Sequence, residues 1–191
     1  MKKHLLLLVF IPLVSLSTFG QNNYRLGNYN RLVNKNIVFQ FKEPLYPFEK
    51  SQESYSLQGD KNLVTAFYKR TSNNIVALQI YSVTIPERFG NLNWNEMIVS
   101  EKQSSTFLNS FLGASAETSM KVSKHRIKFI NGKSFLEIES TLTAAGVNQK
   151  QINWITVYKN TLINIIGSTL EKNFNKNLSF FKDFSNFILI N

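Results

Sequence analysis

The sequence of 191 residues contains no cysteine. That excludes disulfides, a thiol nucleophile, zinc–thiolate sites and thiol-linked lipid anchoring. Histidine is nearly absent too, with only His4 and His125. Metal sites built from histidine clusters need at least two together, which these two positions do not supply. Charged residues make up only 18%, and the 12 acids are scattered, without the clustered spacing of a calcium loop. Glycine occurs eight times and never as a phosphate-cradling loop. Apolar runs are short everywhere except at the start, where Leu5 to Leu16 is nearly unbroken.

That run follows Lys2 and Lys3 and precedes the small residues Thr18 and Gly20. This is the pattern of a secretory signal peptide over residues 1–20, with cleavage after Gly20. A run of about 18 Å is too short for the ~30 Å hydrocarbon core, so a membrane anchor is disfavoured and no span is expected after cleavage. Cleavage lowers the net charge from +10 to +8. A basic exported protein, periplasmic or secreted, rarely meets nucleic acid. An envelope protein or anionic lipid is the expected partner.

Residues 21–36 are polar and aperiodic and read as a flexible leader. One domain is expected from residue 37 to residue 191, since no repeat or second linker follows. Ile37, Phe39 and Phe41 alternate with polar or lesser apolar positions, a half-buried strand ended by Pro44. Residues 63–69 and 75–83 read as a hairpin around Thr71 to Asn74. Asn93 with Glu96 three residues on opens a helix that carries Trp94, Met97, Ile98 and Leu108 on one side.

Asn131-Gly132 is the preferred pair for a two-residue hairpin turn with positive φ. It fixes a register in which Arg126 faces Glu137, Lys124 faces Glu139, Ile127 faces Leu136 and His125 faces Ile138. Charges meet charges and apolar residues meet apolar residues, as cross-strand energetics favour. A second hairpin turning at Lys159-Asn160 sets Trp154 against Ile165 and Thr156 against Ile163. Gly167 offers a place for a neighbour to approach closely. From Asn173 to Ile188 the phenylalanines fall at helical spacing. The order β-β-β-α-β-β-β-β-α, with tight turns, predicts an α+β fold: an antiparallel sheet of about seven strands with helices packed on it.

The first strand ending at Pro44, the helix opened by Asn93-Trp94, the Asn131-Gly132 hairpin with its acidic return strand from Phe135 to Glu139, and the closing pair of a strand through Ile165-Ile166-Gly167-Ser168 and a Phe-rich helix together resemble the PsbP-like family. That family includes the DcrB-like bacterial envelope proteins and, more distantly, the Ran-binding Mog proteins. The aromatic expected after the first proline is replaced by Leu45-Tyr46-Pro47-Phe48. The resemblance implies a three-layer α-β-α sandwich acting as a binding or accessory subunit without catalysis, and it transfers no functional residue.

The candidate sites follow from charge and loop length. Lys121, Lys124, Arg126, Lys128 and Lys133 form the densest basic cluster, so Lys124, Arg126 and Lys128 are candidate contacts for an acidic partner or lipid. The long segment 43–62 offers Tyr46, Phe48 and Tyr55 as a partner-binding loop. No catalytic, metal or cofactor residue is assigned. His125 could serve as a base with Ser123 or Ser140, but its register puts it on an apolar face, which favours a structural role. The reading is an exported, non-enzymatic binding protein of the bacterial envelope that holds a protein partner. The alternative is a carrier of a small hydrophobic or anionic ligand in a cavity between sheet and helices, and the remotest reading is a hydrolase.

Overall fold

The computed structural model describes residues 24–34, 36–51, 63–84, 118–144 and 146–191. A large antiparallel sheet contains β3 (Glu49–Ser51), β4 (Leu63–Thr71), β5 (Asn74–Thr84), β6 (Thr118–Ile130), β7 (Lys133–Ala144), β8 (Val147–Tyr158) and β9 (Thr161–Leu170). Its spatial order is β3-β4-β5-β9-β8-β7-β6. Four of its joints are local hairpins, and each turn carries its own chemistry. Asn131 and Gly132 take φ of 49° and 76°, and Lys159 and Asn160 take 48° and 54°, the left-handed values that match strand twist. The expected registers hold: Arg126 faces Glu137, His125 faces Ile138, Trp154 faces Ile165 and Thr156 faces Ile163. A bulge between Val122 and Lys124 ends the first of them. The nonlocal joint pairs β5 with β9, Ile80 opposite Ile165.

Helix α1 (Phe174–Asn186), preceded by a 3-10 turn, lies against β8 and β9. Phe174, Phe181 and Phe184 are buried with Leu78, Ile80, Ile152, Trp154, Ile163 and Ile165. Gly167 is the point of closest approach. A Cβ there would lie 2.5 Å from Cγ of Phe181. The opposite sheet face is buried as well, through Ala66, Ile138, Ile155 and Leu162.

Several expectations need correction. The first strand, β2 (Ile37–Pro44), does not join the large sheet. It sits in a second, three-stranded sheet between β1 (Leu26–Asn34) and β10 (Leu189–Ile190). The leader assigned to residues 21–36 therefore carries a nine-residue strand, paired with β2 from Leu26 opposite Pro44 to Asn34 opposite Ile37. The last helix stops at Asn186 instead of running to Ile188, and the chain turns into β10. Backbone bonds between Val38 and Asn191, 2.8 and 2.9 Å, tie that end to β2. Asn131 adds a clamp: its Nδ2 donates to the carbonyls of Asn186 (3.0 Å) and Ile188 (2.8 Å), satisfying acceptors left open where a helix ends. The helix expected from Asn93, which would supply the other outer layer of a three-layer sandwich, lies outside the described residues.

Candidate functional site

Two residues of the basic stripe, Arg126 and Lys128, are drawn together on one carboxylate. Arg126 donates from Nε (2.7 Å) and Nη2 (2.6 Å) to Oε1 of Glu137. Trp154 Nε1 donates to Oε2 of the same group at 2.7 Å. Lys128 Nζ stands 3.8 Å from that oxygen and 3.1 Å from Oδ1 of Asn186. Glu137 is only 4% exposed, so these donors stabilise a carboxylate held out of water. Burial pulls the Lys128 ammonium below its usual 10.5, with the Glu137 charge opposing the shift. Lys124 faces Glu139 in register, but the carboxylate of Glu139 forms its ion pair with Lys150 at 3.7 Å. Arg126 and Lys128 therefore tie β6 to β7, and through Trp154 to β8, while Lys124 stays exposed.

The loop candidates divide. Tyr46 is 95% exposed. Phe48 instead packs edge-on against Tyr24, centroids 5.0 Å apart, and lies 5.2 Å from Phe180, which gives it a core role. Tyr55 lies outside the described residues. His125 faces Ile138, and Ser123 Oγ donates to the backbone oxygen of Glu139 at 3.1 Å and not to the imidazole. Among the described residues no group of three His, Cys, Asp or Glu is placed to hold a metal ion.

A different place stands out, on the outward face of the small sheet. Arg31 in β1, Gln40 in β2 and Leu189 in β10 form one cross-strand row. Tyr29 and Lys42 form the next pair, and Phe187 follows beside them. Lys42 Nζ lies 3.9 Å from the Phe187 ring centroid and 5.3 Å from that of Tyr29, a cation–aromatic stack. Tyr29, Asn30, Arg31, Gln40 and Leu189 line an open cavity of about 350 Å³. The strand positions of this face carry no acid: Tyr29, Arg31 and Val33 alternate outward on β1, and Val38, Gln40 and Lys42 on β2. Sequence reasoning missed this site because β1 was read as leader. Only the pairing of β1 with β2 reveals the row.

No family model matches the sequence, and no curated protein matches it. Solved structures do. Cyanobacterial PsbP (CyanoP) of Synechocystis sp. PCC 6803 superposes with a TM-score of 0.61 at 13% identity, over 94% of this chain and 99% of that one. The fold is PsbP-like. PA94, a protein of unknown function from Pseudomonas aeruginosa, follows at a TM-score of 0.51 and 7% identity, over 85% of this chain and 97% of its own. LpqN of Mycobacterium tuberculosis, involved in cell envelope biogenesis, matches at 0.50 and 7%, over 85% and 90%. At such identities the PsbP-like fold is shared and no site residue carries over, so the groove rests on its own geometry. Among the described residues no helix is long and apolar enough to cross a membrane.

Proposed function

We propose that this protein is an exported, non-enzymatic accessory protein of the bacterial envelope, and that it holds a protein partner on the outward face of its small sheet. Residues 1–20 act as the signal peptide, Gln21 becomes the mature N-terminus, and one PsbP-like domain follows. The observation that carries the reading is where apolar side chains meet solvent. Of the seven exposed large hydrophobics among the described residues, Tyr29 and Val33 lie on β1, and Leu45 and Tyr46 directly follow β2. Aromatic residues gathered with arginine are the composition of protein contact surfaces. The envelope-biogenesis role of LpqN and the accessory character that the resemblance implies point the same way.

The test is a photo-crosslinking residue at Tyr29 in native cells, with one at Phe129, also well exposed, as the control. A discrete protein adduct from Tyr29 and none from Phe129 supports the reading. Equal or absent adducts refute it. Mass spectrometry of the purified N-terminus tests export separately, with an intact Met1 counting against it.

A second reading, a carrier of a small ligand, is favoured by one observation. On the sheet face away from α1, Oγ of Ser140, both ends of the Asn153 amide and Oδ1 of Asn164 are buried without hydrogen-bond partners. A small molecule retained through purification in native mass spectrometry would favour this reading.

A further inference from the structure

We infer that the groove on the small sheet receives an acidic, extended segment of a protein partner, with a carboxylate on Arg31 and an apolar neighbour against Tyr29 and Leu189. This rests on the protein-partner reading above and names the chemistry of the partner.

The inference starts from how four other cations are spent. Arg126 and Lys128 share Glu137, Lys150 meets Glu139, and Lys50 meets Glu43 at 2.6 Å. Arg31 has no carboxylate within ion-pair reach among the described residues. Lys42 is held by the Phe187 and Tyr29 rings and not by an acid. The groove and the neighbouring Lys42 thus present two positive charges without an ion-paired carboxylate among the described residues, on a chain whose net charge after removal of residues 1–20 is +8. A guanidinium offers a planar fork that matches a carboxylate in two parallel bonds. Gln40, next in the same row, adds an amide to the same wall. Of the remaining walls, Asn30 adds a second amide, and Tyr29 and Leu189 suit an aliphatic or aromatic side chain beside the acid. A cavity of about 350 Å³ reaches the size at which a surface depression can enclose several side-chain groups. A lone anion would use Arg31 and leave the apolar walls idle. A basic or neutral segment would leave Arg31 uncompensated.

The experiment is affinity selection of a random-peptide phage library on the purified protein, on Arg31→Gln and on Arg126→Gln. Melting temperatures of the three proteins verify folding. The expected result is enrichment of sequences pairing Asp or Glu with a large apolar residue. Binding should weaken with salt, fall at least about tenfold on Arg31→Gln, and persist on Arg126→Gln. Enrichment of neutral or basic sequences, no enrichment, or equal binding to Arg31→Gln overturns the inference. Vesicles containing phosphatidylglycerol form a second arm. Binding to them that depends on Arg31, with no peptide selected, also overturns it. The two readings fail separately. A Tyr29 crosslink unaffected by Arg31→Gln keeps the partner and removes the acidic chemistry. Acidic enrichment without any cellular crosslink keeps the chemistry and removes the partner.

Discussion

Replacing Gly167 by alanine tests whether α1 is seated on β9 as closely as described. The new Cβ would lie 2.5 Å from Cγ, 2.7 Å from Cδ1 and 2.8 Å from Cβ of Phe181. Ordinary contact begins at 3.4 Å, so the ring must retreat by about 1 Å. Turning the ring does not suffice, because Cβ of Phe181 is itself too close. Phe181 is fully buried, with Phe174 and Phe180 at centroid distances of 6.1 and 6.3 Å, so the helix itself must lift. Overpacking of this kind costs about 1–3 kcal/mol, offset by about 0.5–1 kcal/mol from restricting the unfolded chain. A net loss of about 1 kcal/mol lowers the melting temperature by about 2–4 °C in a chain of this size. The decisive assay is a double-mutant cycle read by urea denaturation. Phe181→Ala alone should cost about 3–5 kcal/mol. It also makes room for the methyl, so the double variant should lose about 1–2 kcal/mol less than the two singles together. Strict additivity, or a Gly167→Ala protein as stable as the parent, would refute this seating of the helix.

Four further outcomes are expected. Asn131→Asp keeps a residue tolerant of positive φ but removes both donor bonds to the Asn186 and Ile188 carbonyls, so the urea midpoint should fall by the equivalent of about 1–2 kcal/mol with an unchanged slope. Glu137→Leu leaves the Trp154 N–H without its acceptor and should cost about 2–3 kcal/mol, whereas Glu137→Gln keeps an oxygen there and should cost less; equal losses would show that the bond contributes nothing. Because Lys128 titrates lower when folded, the unfolded chain holds its proton more tightly, and the folding penalty of charged Lys128 is full below the folded pKa and relieved as pH rises toward 10.5. Melting curves from pH 8 to 11 should thus show the parent gaining on Lys128→Met, and a constant gap would contradict the burial of this ammonium. Asn153→Leu replaces an unpartnered buried amide and should leave stability unchanged or raise it by about 1–3 kcal/mol, so a clear loss in thermal melting would reveal a partner for the amide.

What the sequence disclosed was what is encoded locally. Asn131-Gly132 and Lys159-Asn160 specify their turns within two residues, and the registers of β6–β7 and β8–β9 follow from them. Gly167 was legible because an isolated glycine in an apolar strand marks close approach. The split into two sheets was not legible. It depends on β2 pairing with β10 at the far end of the sequence, and two residues are too few to show a period. β1 was hidden for another reason. Its apolar residues, Leu26, Tyr29, Leu32 and Val33, do not alternate, so its partner and not its own pattern makes it a strand. The site failed with the strand. Charge density drew attention to Arg126 and Lys128, but in the fold both meet Glu137, whereas the isolated Arg31 has no carboxylate within ion-pair reach among the described residues.

The row Arg31–Gln40–Leu189 is assembled from the first and last described strands. β1 and β2 form two walls as a simple hairpin, while Leu189 is synthesised well after both. Joining distant segments adds only a logarithmic entropy cost, so the delay is one of timing and not of energy. A partner that requires all three walls would engage only copies in which β10 has docked on β2. The groove then acts as a certificate of completed folding. The same geometry warns that an affinity handle fused behind Asn191, whose backbone is bonded to Val38, would stand at the rim of the surface it is meant to report on.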